Sequence, residues 1–102
     1  MKSILADDNN KVCWLCGRKG PEHLDLHHVW GGRGTRKVSD DYGLTVYLCH
    51  HTCHEYGPNA VHQNQETRKR LQDWSQKKAM EHYGWSLEDW MKVMRKNYLL
   101  ED

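Results

Sequence analysis

The spacing of apolar residues predicts two short strands in the first half of the chain, over residues 24–30 and 44–48. In the second segment leucine and valine alternate with threonine and tyrosine, so the apolar side chains share one face of a strand. Residues 31–37 separate the two strands and contain three glycines and three cations. This composition predicts a loop.

The second half of the chain is predicted to be helical. Asn64 can cap a helix that runs to about Tyr83, and Gly84 follows as a stop signal. The inner face of this helix is predicted to carry Leu71, Trp74, Ser75, Ala79 and Tyr83. A capping box from Ser86 to Asp89 predicts a second helix. Its apolar stripe is Leu87, Trp90, Met91, Met94 and Tyr98.

The apolar content is low for a domain of this size. Of the 102 residues, 37% are hydrophobic and none is Phe. A single domain this poor in apolar side chains needs a disulfide, a metal or a partner for stability. The formal net charge is only +1 although 28% of residues are charged. This balance excludes a strongly basic nucleic-acid tail and an acidic disordered chain.

Two further patterns bear on location. No apolar run approaches the roughly 20 residues of a membrane span, so no membrane partner is expected. The first eight residues are too short and too acidic for a signal peptide. We therefore expect a cytoplasmic protein, with its cysteines in a reducing environment.

The cysteines form two close pairs, Cys13 with Cys16 and Cys49 with Cys53. Disulfides are disfavoured in a reducing compartment. Two pairs of thiolates at these spacings complete a tetrahedral structural zinc site. The second pair is one residue wider than the commonest knuckle, so His50 or His51 is an alternative ligand to Cys53. A redox role for the paired cysteines is a further alternative.

Seven of the eight histidines lie between His23 and His62. Four stand out because they lie at the end of the first predicted strand, directly after the second cysteine pair, or after the turn at residues 57–59. They are His27, His28, His54 and His62. Neutral imidazoles bind first-row divalent metals. Two or three such ligands leave positions open for substrate, so the pattern predicts a second, catalytic metal site.

These residues together resemble the HNH endonuclease family, and most closely its small zinc-knuckle members from phages and prophages. The matching segments are CWLCG at 13–17, LDLHHV at 24–29, HHVWGGRG at 27–34, SDDYGLTVYLC at 39–49, the Cys53–His54 pair and AVH at 60–62. Each segment is short, and their specificity comes from their order. The resemblance covers about residues 13–83.

The resemblance implies an α+β fold with a ββα-metal (His-Me finger) core, four-cysteine zinc knuckles and C-terminal helices. One domain over 1–102 would comprise a flexible arm at 1–10, the knuckles and ββ-metal core at 13–63, and a helical part at 64–102. The implied activity is metal-dependent hydrolysis of DNA phosphodiester bonds. Phage recombination, replication or packaging proteins in a bacterial host are the implied partners, and no oligomeric state is indicated.

The resemblance also implies roles for the histidines. His28 would be the general base, and His27, His54 and His62 would hold one catalytic Mg²⁺, Mn²⁺, Ni²⁺ or Zn²⁺ ion. Adjacent strand residues point to opposite faces, so His27 and His28 can exchange these catalytic and ligand roles. The central Asn of the family motif is missing, and Ser39, Asp40, Asp41 or a backbone carbonyl is expected to orient the base.

Binding of DNA is expected to be local. The phosphate-binding candidates are Arg33, Arg36 and Lys37, which lie on the glycine loop beside His28. A patch of this size neutralises few phosphates, so binding is expected to be modest and salt-sensitive. The alternative function is a non-catalytic, zinc-stapled nucleic-acid-binding module.

Overall fold

The protein is described here over residues 2–100 of a computed structural model. It is a small α+β fold with one two-stranded sheet and three α-helices in this part of the chain. The elements in chain order are strand β1 (Leu24–His28), helix α1 (Arg36–Tyr42), strand β2 (Thr45–Cys49), helix α2 (Gln65–Tyr83) and helix α3 (Leu87–Met94). A 3-10 turn (Pro21–His23) precedes β1, and a π-helical turn (His50–Glu55) follows β2.

The two predicted strands are confirmed and form an antiparallel pair in which His27 lies opposite Val46. The first strand is two residues shorter than predicted. Val29 and Trp30 are buried beyond its end, and the Val29 amide still donates to the Leu44 carbonyl at 3.1 Å. The Trp30 carbonyl instead accepts from the Ser39 hydroxyl at 2.9 Å.

Helix α1 is the main departure from the predicted loop at 31–37, because it begins at Arg36. Its seven residues carry no apolar period that marks a helix in the sequence. Ser39 is fully buried within it, and Gly43 ends it with a φ of 70°. A side chain at Gly43 would also meet the carbonyl oxygen of Lys2 at 2.4 Å. Packing against the rest of the molecule thus stabilises this short helix.

The segment before the first cysteine has no helix and no paired strand over residues 2–10, but it lies against the body of the protein. The Ile4 amide donates to the Gly43 carbonyl at 2.9 Å, and the Ser3 hydroxyl donates to the Thr45 carbonyl. Ile4 and Leu5 pack against the core. These contacts differ from the flexible arm predicted at 1–10.

Helix α2 matches its prediction at both ends. The Asn64 side chain accepts a hydrogen bond from the Thr67 amide at 3.1 Å, which satisfies one of the free N–H groups of the first turn. Gly84 ends the helix in the left-handed conformation. The predicted inner face is buried at Leu71, Ser75 and Ala79 and half-buried at Trp74 and Tyr83.

Helix α3 begins with the predicted capping box, because Ser86 and Asp89 exchange both hydrogen bonds. Its predicted stripe is only partly correct. Trp90 and Met94 are buried, whereas Leu87 and Met91 are exposed. Val93 also packs against the core, and Tyr98 does so from beyond the end of the helix.

A buried glutamine attaches the segment after α3 to α2. Gln76 is fully buried, its side-chain carbonyl accepts from the Tyr98 amide at 2.7 Å, and its amide donates to Asn97 Oδ1 at 2.9 Å. Both polar ends of the side chain are therefore satisfied within the core. None of the described helices has the length and apolar content needed to cross a bilayer.

Candidate metal centres

The four cysteines converge at one point of the core. Their Sγ atoms all lie within 4.8 Å of one another, and Cys16 Sγ lies 3.5 Å from Cys49 Sγ. That separation excludes a disulfide of about 2.05 Å. It is close to the roughly 3.8 Å edge expected for four sulfurs at about 2.3 Å from a tetrahedral zinc. The cluster can therefore bind a metal such as zinc.

The first pair lies on a tight turn that aims both sulfurs in one direction. Gly17 donates its amide to the Cys13 carbonyl at 2.9 Å and has a φ of 78°, which favours glycine. The Trp14 amide donates to the Tyr47 carbonyl at 2.8 Å. This bond joins the turn to β2, the strand that ends at Cys49.

Hydrogen bonds prepare one of the thiols for metal binding. Burial of Cys13 opposes ionisation, but backbone amides that include those of Cys16 and Cys49 lower its pKa to about 7. Burial raises the pKa of Cys53 to about 12. Thiolates are the ligand form, so these hydrogen bonds favour the form of Cys13 that binds a metal.

The π-helical turn accounts for the wider spacing of the second pair. It carries the chain from Cys49 to Cys53 with both side chains buried in the cluster. His50 and His51 are exposed and lie outside the four-sulfur group. Cys53 is therefore the fourth donor of the cluster, in place of either histidine alternative.

A second cluster joins three histidines from distant parts of the chain. His27 lies on β1, His54 on the π-helical turn, and His62 on the turn before α2. His54 Nε2 lies 3.2 Å from His27 Nδ1 and 3.1 Å from His62 Nε2. Three nitrogens bound at about 2.0–2.1 Å to a tetrahedral ion would lie about 3.4 Å apart. The donor set and its spacing fit a divalent metal.

The surroundings of His27 favour its neutral form. Burial, followed by the neighbouring histidines His54, His62 and His28, lowers the pKa of His27 to about 3. His27 is therefore neutral at pH 7, which is the form that ligates metals.

The opposite nitrogen of His54 contacts a carboxylate. His54 Nδ1 lies 2.9 Å from Asp25 Oδ2, and His50 Nδ1 contacts the same oxygen. The hydrogen bond with His54, and then the one with His50, lowers the pKa of Asp25. Asp25 is thus an ionised acceptor beside the histidine cluster.

His28 is close to the cluster but has a different partner. Its Nε2 lies 2.6 Å from Asp40 Oδ1 on α1, and this hydrogen bond lowers the pKa of Asp40. His27 and His28 nevertheless line the same cleft. Of the two histidines, His27 is the one that contacts His54. Of the four groups expected to orient the base, namely Ser39, Asp40, Asp41 or a backbone carbonyl, Asp40 is the one that contacts His28.

The basic candidates differ in their distance from the histidines. Arg36 lines an open cleft of about 280 Å³ together with His27, His28, His54 and His62. A neighbouring cleft joins His28 and His62 to Arg68 on α2. Arg33 and Lys37 are exposed and line neither cleft, and Lys37 pairs with Asp41 at 3.2 Å. The two arginines nearest the cluster therefore come from α1 and α2.

The sequence did not identify Asp25 or Arg68 as site residues. The available signal for Asp25 was its alternation with His27, which puts both side chains on one face of β1. Arg68 belongs to a run of cations that is typical of an ordinary solvated helix face.

Comparison with known proteins found no similarity for this chain: no family model, no curated protein and no solved structure matches it. Its function is therefore inferred from the site's own residues.

Proposed function

We propose that the protein is a metal-dependent HNH endonuclease that hydrolyses DNA phosphodiester bonds. The convergence of His27, His54 and His62 beside a fourth histidine, His28, carries this proposal. A purely structural metal site does not need a histidine that lies beside the ligands without joining them. Here that histidine is paired with a carboxylate and lines the same cleft.

In this proposal β1, β2 and the π-helical turn form the ββα-metal core. Strand β1 carries His27 and His28, and the π-helical turn carries His54 directly after Cys53. The four-cysteine cluster keeps the π-helical turn at the end of β2. It thereby holds His54 close to His27, which is 27 residues earlier in the chain.

Each histidine has a distinct chemical task. His27, His54 and His62 would hold a divalent ion, which would supply Lewis-acid stabilisation of the charge that develops on the phosphate and the leaving group. His28 faces Asp40 through Nε2, so Nδ1 remains for a water molecule. Asp40 orients the imidazole and stabilises its protonated form, as an acidic partner does for other catalytic histidines.

Hydrolysis then follows from the residues around the cleft. His28 accepts a proton from water as its oxygen attacks phosphorus, and the bond from phosphorus to the 3′-oxygen breaks. The 3′-oxygen takes a proton from solvent. Arg36 and Arg68 flank the histidines and can contact phosphates on either side of the scissile bond.

A plasmid-nicking assay tests the proposal. Zinc-loaded protein is expected to nick supercoiled DNA with added Mg²⁺ or Mn²⁺, and a chelator is expected to stop the reaction. His54→Ala should lose the activity, whereas His23→Ala, a histidine outside both clusters, should retain it. DNA binding without cleavage under every metal tested would favour the non-catalytic binding module instead.

A further inference from the structure

A carboxylate lies at the nitrogen of His54 that faces away from the other two cluster histidines. Asp25 Oδ2 contacts His54 Nδ1 at 2.9 Å, whereas His27 and His62 approach Nε2. The His54 side chain is only 14% exposed. Both nitrogens of this nearly buried ring therefore have defined neighbours.

The geometry of β1 explains how one strand reaches both nitrogens. Asp25 and His27 alternate along β1 and pair with Leu48 and Val46 of the same neighbouring strand. Two residues along a strand span about 7 Å, which allows the two side chains to reach opposite edges of one imidazole ring. Asp25 and His27 therefore contact opposite edges of the His54 ring.

The hydrogen-bonding chemistry decides which nitrogen carries the proton. An ionised carboxylate accepts hydrogen bonds and donates none, so His54 Nδ1–H must donate to Asp25. A neutral imidazole carries one such proton, which leaves the lone pair on Nε2. That lone pair points to the position where His27 and His62 converge.

We propose that Asp25 is a positioning residue that holds His54 as its Nδ1–H tautomer and leaves Nε2 free to ligate a divalent cation. Carboxylates commonly orient metal-binding histidines in this way. The inference deepens the proposed function and rests on its histidine metal site, but it does not depend on DNA cleavage.

His50 provides a matched control because it shares Asp25 Oδ2 with His54. Its side chain is 49% exposed, and it lies outside the group formed by His27, His54 and His62. If Asp25 acts through His54, loss of His50 should leave the histidine cluster intact. Comparison of Asp25→Ala with His50→Ala therefore distinguishes positioning of His54 from a general loss of charge or packing.

The test measures cobalt binding to protein whose four-cysteine cluster already holds zinc. Calorimetric titration with Co²⁺ is expected to show one site in the wild type, weakened about 10–100-fold by Asp25→Ala. Asp25→Asn retains an acceptor oxygen, so its affinity for Co²⁺ should lie between those of the wild type and Asp25→Ala. His50→Ala should bind as the wild type does, and thermal melting of each variant checks the fold.

Nitrogen-15 NMR of the histidine rings gives a second readout, on zinc-loaded protein without cobalt. His54 should be the Nδ1–H tautomer in the wild type and in His50→Ala, and should lose that preference in Asp25→Ala. A purely structural role of Asp25 would not change the tautomer of a folded variant.

The outcomes distinguish this inference from the proposed function. Weakened cobalt binding in Asp25→Ala supports it even if the wild type cuts no DNA. Unchanged binding and tautomer in Asp25→Ala overturn it while leaving the nuclease proposal in place. Two cobalt ions per wild-type chain, reduced to one by His50→Ala, would make Asp25 and His50 ligands and overturn the positioning role. A wild type that binds no cobalt would reject both the metal site and the inference.

Discussion

Two adjacent residues, Cys53 and His54, belong to two clusters with different surroundings. Cys53 completes a group of sulfurs in which three of the four residues are no more than 4% exposed. His54 belongs to a group of imidazoles that lines an open cleft. Three of the four cysteines belong to the hydrophobic core and Cys16 is exposed, whereas His27 and His54 are half-buried and His62 is exposed.

The difference indicates a division of labour. A buried cluster with four protein ligands has no position for substrate and contributes to folding. Three imidazoles at an open cleft leave positions that substrate can reach. We therefore expect damage to the cysteines to affect stability first and damage to the histidines to affect chemistry first.

The largest effect is expected from loss of the cysteine cluster. Cys49→Ser or removal of zinc should unfold the protein, because structural zinc contributes roughly 10–16 kcal/mol and a whole domain is stable by about 5–15 kcal/mol. Circular dichroism and thermal melting measure this loss. His51→Ala, in the same turn but outside the cluster, is the control. A metal-free protein with an unchanged melting curve would contradict the stabilising role expected of the cysteine cluster.

The second-largest effect is expected from His54→Ala. Nicking should be lost, whereas the melting temperature of the zinc-loaded variant should stay close to that of the wild type, because Cys53 still holds the π-helical turn. Measurement of both nicking and melting distinguishes the role of the histidine cluster from that of the cysteine cluster, although His54 and Cys53 are adjacent. Unfolding of this variant would show that the imidazole cluster also stabilises the fold.

A smaller effect is expected from His28→Ala. Loss of a general base should slow cleavage by about 10²–10⁴-fold, with cobalt and DNA affinity unchanged and partial recovery at higher pH. His27→Ala should instead lose metal affinity and recover with excess metal. Nicking rates against metal concentration and pH identify each role. If metal rescues His28→Ala and high pH rescues His27→Ala, the two roles are reversed.

The smallest effect is expected from the basic residues around the cleft. Arg36→Ala or Arg68→Ala should weaken DNA binding modestly and lower the salt dependence by about one unit of slope, as expected for one lost phosphate contact. Arg33→Ala is the control, because Arg33 lies three residues before Arg36 but lines neither cleft. Binding isotherms over a salt series measure the difference. An equal effect from Arg33→Ala would indicate a diffuse basic surface.

Local signals in the sequence predicted helices α2 and α3 and the cysteine cluster. Asn64, Gly84 and the capping box of Ser86 and Asp89 mark helix ends through interactions within a few residues. The short spacing within each cysteine pair is itself a sequence signal for a metal site. Helix α1 was missed because its seven residues have no apolar period, and its stability comes from buried Ser39 and from contacts with the N-terminal segment.

The amino-acid sequence by itself determined the residue types available for chemistry, namely four cysteines and a group of seven histidines between residues 23 and 62. Only the tertiary structure decided that His27 contacts His54, that His28 pairs with Asp40, and that Asp25 reaches the opposite nitrogen of His54. The physical reason is distance along the chain. Caps and knuckles form between near neighbours, whereas these contacts depend on how β1 ends and where the π-helical turn begins.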